Sequence, residues 1–128
     1  MGTSIGLHGH EARLTAAQEA EVKALLASLA ADPYSPPTDR QVEPELVAYL
    51  EEQGRIVDVG DGVLFATGAY REMVDRIVHH LKQEGTVTLA EVRDMFGTSR
   101  KYAQALLEHL DVKRVTRRVG GQRTLRGQ

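Results

Sequence analysis

Basic side chains crowd the end of the chain. From position 100 onward Arg100, Lys101, Lys113, Arg114, Arg117, Arg118, Arg123 and Arg126 face only Glu108 and Asp111 as acids. Guanidinium and ammonium groups at this density suit phosphate oxygens. In "GTSRKYAQALLEHLD" (Gly97 to Asp111), Ala103, Leu106, Leu107 and Leu110 recur at helical spacing, with Thr98 or Ser99 as cap. Arg100, Gln104 and Glu108, four apart, share a different face. Glu108 repels phosphate, so the helix start should dock rather than its full length. There Ser99, Arg100 and Lys101 join free backbone N–H groups and the positive end of the helix dipole in an anion site. Tyr102 packs in the core or stacks on a base, packing being the more ordinary use. "RVTRRVGGQRTL" reads as strand, glycine turn, strand. Neighbours on a strand point to opposite faces, so one of Arg117 and Arg118 reaches a ligand while the other lies over the body; Arg123 sits on the returning strand. Lys113 and Arg114, at the helix-to-strand corner, add general attraction.

Other chemistries find little support. His8 and His10, His79 and His80, and His109 lack the i, i+4 helical spacing of a zinc pair, and no cysteine can supply a thiolate, so no metal site is expected. The sequence contains neither G-x-x-x-x-G-K-[ST] nor G-x-S-x-G, and carboxylates such as Glu43, Glu45, Glu51 and Glu52 read as solvated helix faces. No catalytic activity is expected, and no cofactor. No apolar run approaches the ~20 residues that span a bilayer, and Met1 to His10 has no secretory-signal pattern. The absence of cysteine fits a reducing cytoplasm.

The elements that must position the basic residues follow from periodicity. Leu14 to Ala31 is a helix with Thr15 as cap and Val22, Leu25, Leu26 and Leu29 inside. "DPYSPPTD" (Asp32 to Asp39) is a proline-rich loop, and a short helical turn follows at Asp39 to Val42. Pro44 opens a helix bearing Leu46, Val47 and Leu50, and Arg55 to Phe65 is a hairpin. Gly68 to Arg71 forms a hinge. Arg71 to Gln83 is a helix ended by Gly85; a strand (Thr86 to Thr88), a short helix (Leu89 to Phe96) and the basic segment complete the chain.

The two halves align at an offset of 60: Leu46, Val47 and Leu50 fall on Leu106, Leu107 and Leu110, Val59-Gly60 on Val119-Gly120, and Phe65 on Leu125. The expected class is mainly α with small β-hairpins (α+β), as two tandem winged helices, residues 1–69 and 70–128. Units this small sit near the lower limit for a separate core, so helix-on-helix contact between them is expected. Charge is what differs. Through Tyr70 there are four basic and eleven acidic residues, net −7; from Arg71 there are twelve and seven, net +5. Val57, Asp58 and Val63 of the first wing become Arg117, Arg118 and Arg123 in the second. Folding alone gives no reason for that inversion; a partner touching only the second copy does.

"TVTLAEVRDMFGTSRKYAQALLEHLDVKRVTRRVGGQRTL" (Thr86 to Leu125) closely resembles the last winged helix of bacterial SelB, the selenocysteine-specific elongation factors, and "LHGHEARLT" (Leu7 to Thr15), "PYSPPT" and "ELVAYLEEQGRIVDVGDGVLF" resemble the preceding one. The resemblance implies a C-terminal fragment, consistent with the artificial-looking start "MGTS", that binds the SECIS hairpin of an mRNA at its loop end, beside an in-frame UGA codon. On the matching positions it implies Ser99, Arg100 and Lys101 at the recognition-helix start, Arg117, Arg118 and Arg123 in the wing, and Arg93 near the RNA backbone. GTP hydrolysis, selenocysteinyl-tRNA and the ribosome would belong to a region outside this chain, the acidic unit would be a spacer, and the fragment would be a cytoplasmic monomer. Charge and repeat alone do not choose RNA; a winged-helix regulator of duplex DNA is the alternative.

Overall fold

The computed structural model describes residues 14–38 and 42–126. Residues 39–41 of the expected turn at Asp39 to Val42, the His8/His10 pair and most of the entry segment Leu7 to Thr15 lie outside them. The chain is mainly helical with small antiparallel sheets. In order it forms α1 (Ala16–Ala31), α2 (Pro44–Glu52), β1 (Ile56–Gly60), β2 (Val63–Ala66), α3 (Thr67–Glu84), β3 (Val87–Thr88), α4 (Leu89–Phe96), α5 (Arg100–Val112), β4 (Thr116–Val119) and β5 (Gln122–Leu125).

Local chemistry sets several boundaries. Thr15 and Gln18 form a reciprocal capping box at α1, with the Gln18 N–H donating to Thr15 Oγ1 at 3.0 Å and the Thr15 N–H to Gln18 Oε1 at 2.9 Å. Thr88 and Glu91 do the same at α4. Gly97 ends α4 in the left-handed region (φ 59°), which turns the chain sharply into α5 and makes α4–turn–α5 a helix-turn-helix. The β4–β5 hairpin that follows is its wing.

One expectation is corrected at the junction of the halves. α3 starts at Thr67, directly after β2, so Gly68 to Arg71 are helical and do not form a hinge. The 69/70 position falls inside this helix.

The mode of contact between the halves also differs from expectation. β1 and β2 form a two-stranded sheet with a bulge between Asp58 and Gly60. Ile56, Leu64 and Ala66 on one face pack with Val22, Leu25, Leu29, Leu46 and Leu50. Val57, Val59, Val63 and Phe65 on the other face join Met73, Ile77, Val92, Leu106 and Leu110. Strand alternation thus lets one hairpin serve two cores. The first wing meets α3 and α5 directly, in place of the helix-on-helix contact expected. The second wing sits in a three-stranded sheet of order β3-β5-β4.

Candidate nucleic-acid interface

A groove of about 340 Å³ lies between the recognition helix and its wing, lined by Thr88, Leu89 and Ala90 of the α4 start, Arg100, Gln104 and Glu108 of α5, and Arg118, Gly121 and Arg123 of the wing. Helical spacing presents Arg100, Gln104 and Glu108 to it as one row. Arg100 and Arg118 are both exposed, so the groove carries cations from two elements. Ser99 is the N-cap of α5 but makes no side-chain cap bond, and the first turn's N–H groups point outward at the same end. Further along α5 Gln104 Nε2 donates to Glu108 Oε2 at 3.1 Å, so an acid stands in mid-helix. Phosphate is favoured at the α5 start and beside Arg118 and disfavoured further along.

The sequence-derived residues divide in space. Arg117 and Arg118 do point apart: Arg118 lines the groove, its Nε donating to the Gly120 carbonyl at 3.3 Å, and Arg117 is exposed on the other side of the sheet. Arg123, expected in the outer contact set, is turned inward and is only 5 % exposed. Its Nε and Nη2 donate to Asp111 Oδ2 at 3.3 and 3.1 Å, while the Thr116 hydroxyl donates to Asp111 Oδ1 at 2.6 Å. The reason is positional: Arg123 occupies the inward strand site that Val63, fully buried, holds in the first wing. Tyr102 packs against the core and its hydroxyl donates to the Pro36 carbonyl at 2.6 Å, which leaves its ring committed to the interior rather than to a base. Lys101 is exposed and donates to Thr38 Oγ1 at 2.5 Å. Lys113 and Arg114 follow α5, whose 13 residues span about 20 Å from Arg100, so they do not join the groove. Arg93, on α4, is exposed and paired with Asp94 at 3.1 Å.

Gln104, Thr88 and Gly121 line the groove without having been expected there. The Thr88-x-x-Glu91 capping box was the available signal, since it fixes where α4 begins. Among the described residues no group of three or more His, Asp or Glu could hold a metal ion, and no helix is long and apolar enough to cross a membrane.

The first unit has a groove in an overlapping repeat position, with the carboxylate of Asp58 where the second has the guanidinium of Arg118. Its cavity of about 420 Å³ is lined by α2 and wing residues that include Pro44, Ala48 and Asp58, the counterparts at offset 60 of Gln104, Glu108 and Arg118. Val47 and Leu64 give it an apolar floor, and Glu51 and Asp58 give it carboxylates.

Residues 79–125 match the family model described as elongation factor SelB, winged helix. A selenocysteine-specific elongation factor from Desulfomicrobium baculatum is 27 % identical over 82 residues, which cover 64 % of this chain and 13 % of that protein. The chain therefore spans about an eighth of that relative. The mRNA-binding domain of elongation factor SelB from E. coli, solved in complex with SECIS RNA, superposes with a TM-score of 0.65 at 21 % identity, covering 88 % of this chain and 99 % of that one. A bacterial selenocysteine-specific elongation factor superposes with a TM-score of 0.66 at 16 % identity, covering 90 % of this chain and 20 % of that one. These likenesses show a mainly helical, winged-helix-like fold with small antiparallel sheets.

Proposed function

We propose that this chain is the C-terminal mRNA-binding part of a selenocysteine-specific elongation factor of the SelB family, and that its second winged helix holds the SECIS hairpin that directs selenocysteine to UGA. The observation that carries this reading is the pair of equivalent grooves. The second copy sets Arg100, Arg118 and the α5 start around its groove, and the first sets Glu51 and Asp58 around its own. Arg100, Lys101, Ser99 and Arg118 grip the loop end of the hairpin. Arg117, Lys113, Arg114 and Arg93 supply long-range attraction, and Arg123 holds the wing in place through Asp111. The fragment binds without catalysis or a cofactor, as a cytoplasmic monomer. Binding and hydrolysis of GTP, selenocysteinyl-tRNA and the ribosome are the work of the remainder of the full-length factor.

Glu108 bears against the duplex-DNA reading. A recognition helix laid along a major groove brings its middle close to phosphate, where this carboxylate is repulsive. A hairpin loop, with a splayed base and closely spaced phosphates, is met by the helix start alone. Calorimetry with a SECIS-type hairpin and a duplex DNA of equal length separates the two. The hairpin should bind more tightly, and Arg100→Ala should cost about 1–3 kcal/mol if Arg100 reads a base. Equal affinity for the duplex, or an unchanged Arg100→Ala, overturns the reading.

A further inference from the structure

The loop joining α1 to α2 belongs to the first unit, yet it is bonded to the RNA-facing end of the second. The Tyr34 ring lies against Phe96 at the end of α4, centroids 5.1 Å apart. Thr98, in the turn between α4 and α5, donates its hydroxyl proton to the Tyr34 carbonyl at 2.9 Å. That proton being committed, Ser35 must be the donor in its 2.5 Å bond to Thr98 Oγ1. Tyr102 donates to the Pro36 carbonyl, and Lys101 to Thr38. The loop therefore holds residues on both sides of Arg100 while Arg100 itself stays exposed. Pro36 and Pro37 fix φ in the middle of the loop, so what grips the helix start is itself stiff.

We propose that residues 34–38 are positioning residues for RNA recognition: they hold the turn and first turn of α5 in the binding geometry before the hairpin arrives. The acidic unit is then part of the reading apparatus rather than a spacer. The advantage is preorganisation, since ordering the helix start in advance removes that cost from association. Reciprocity follows. If loop order favours RNA, bound RNA favours loop order by the same factor, and α1 feels the occupancy of the groove.

This inference rests on the hairpin reading above, and its test separates the two failures. The protein with no substitution must first bind the SECIS-type hairpin; if it does not, the functional reading fails before this one is reached. Ser35→Ala and Tyr102→Phe each delete one hydroxyl contact and Thr98→Val deletes two, none of them at a cation. Each should weaken hairpin binding several-fold, about tenfold at most for one hydrogen bond, with the dependence of affinity on salt unaltered. Arg100→Ala should instead lower the salt slope by about one. Amide exchange at 103–106, the first bonded amides of α5, should speed up in the free variants and return to the parent rate in the complex. Thr98→Ser, which keeps the hydroxyl, should bind like the parent. Variants that bind within twofold of the parent overturn the proposal. So does a salt slope that falls as in Arg100→Ala, because the loop would then be touching phosphate directly.

Discussion

At the scale of single residues, charge and role part company in the wing. Arg118 and Arg123 are register partners across β4 and β5, yet one is exposed and the other 5 % exposed. Arg123 closes a triad with Asp111 and Thr116, in which removing the cation leaves a partly buried carboxylate without its charge partner. Arg123→Ala should therefore lower stability by roughly 1–3 kcal/mol, read by chemical denaturation. Arg118→Ala should leave stability within about 0.5 kcal/mol and lower the salt slope of hairpin binding by about one. Composition registers both arginines equally, so it placed both outside. The information that separated them was in the repeat: position 123 aligns with Val63, an inward site of the first wing. Tyr102 illustrates the opposite case, where the ordinary use of a ring, packing, is the one the structure adopts.

At the scale of elements, the contact between β1 and α5 contains a titrating group. His109, on α5, shares a 3.0 Å hydrogen bond with Tyr70 of α3, the rings meeting edge to face. Burial, and then the charge of Lys113, hold its pKa below the usual histidine value, against a smaller upward pull from Asp58 and Glu51. The folded state thus binds fewer protons than the unfolded one as acid is added. Its contribution is complete above about pH 6.5, the unfolded value, and is lost as pH falls. The melting temperature should decline between pH 7 and 5, and His109→Gln should flatten that decline. Most element assignments were legible because amphipathic spacing is a local property: α2, α4, α5 and both hairpins follow it closely. The start of α3 was not. Thr67-Gly68 follows a strand with no capping side chain, and glycine is a poor helix former, so the tertiary contacts of Met73 and Ile77 decide the helix where local preference does not.

At the scale of the whole molecule, two clusters of buried side chains are divided by a single hairpin whose faces belong to different cores. Phe65 is fully buried on the face toward the second unit, and Leu64, its chain neighbour, packs toward the first. Units joined by such a layer should unfold together. Calorimetry should give one transition, and Phe65→Ala should cost about 3–5 kcal/mol and move that transition as a whole. Two separable transitions would show that the layer does not couple the cores. The offset of 60 made the repeat and its charge inversion readable, but repetition says nothing about how copies dock. The 34–38 loop was read as a connector because proline excludes regular structure, and its bonds to Thr98 and Tyr102 span more than 60 positions of sequence, beyond the reach of any local pattern.

The two wings also differ in how freely they can vary. The first packs on both faces, so changes at Ile56, Val59, Val63 or Phe65 must satisfy one core or the other. The second has Thr116, Arg123 and Leu125 facing inward and leaves Arg117 and Val119 open to solvent. The wing with a spare face is the one that can carry added charges at little cost in stability.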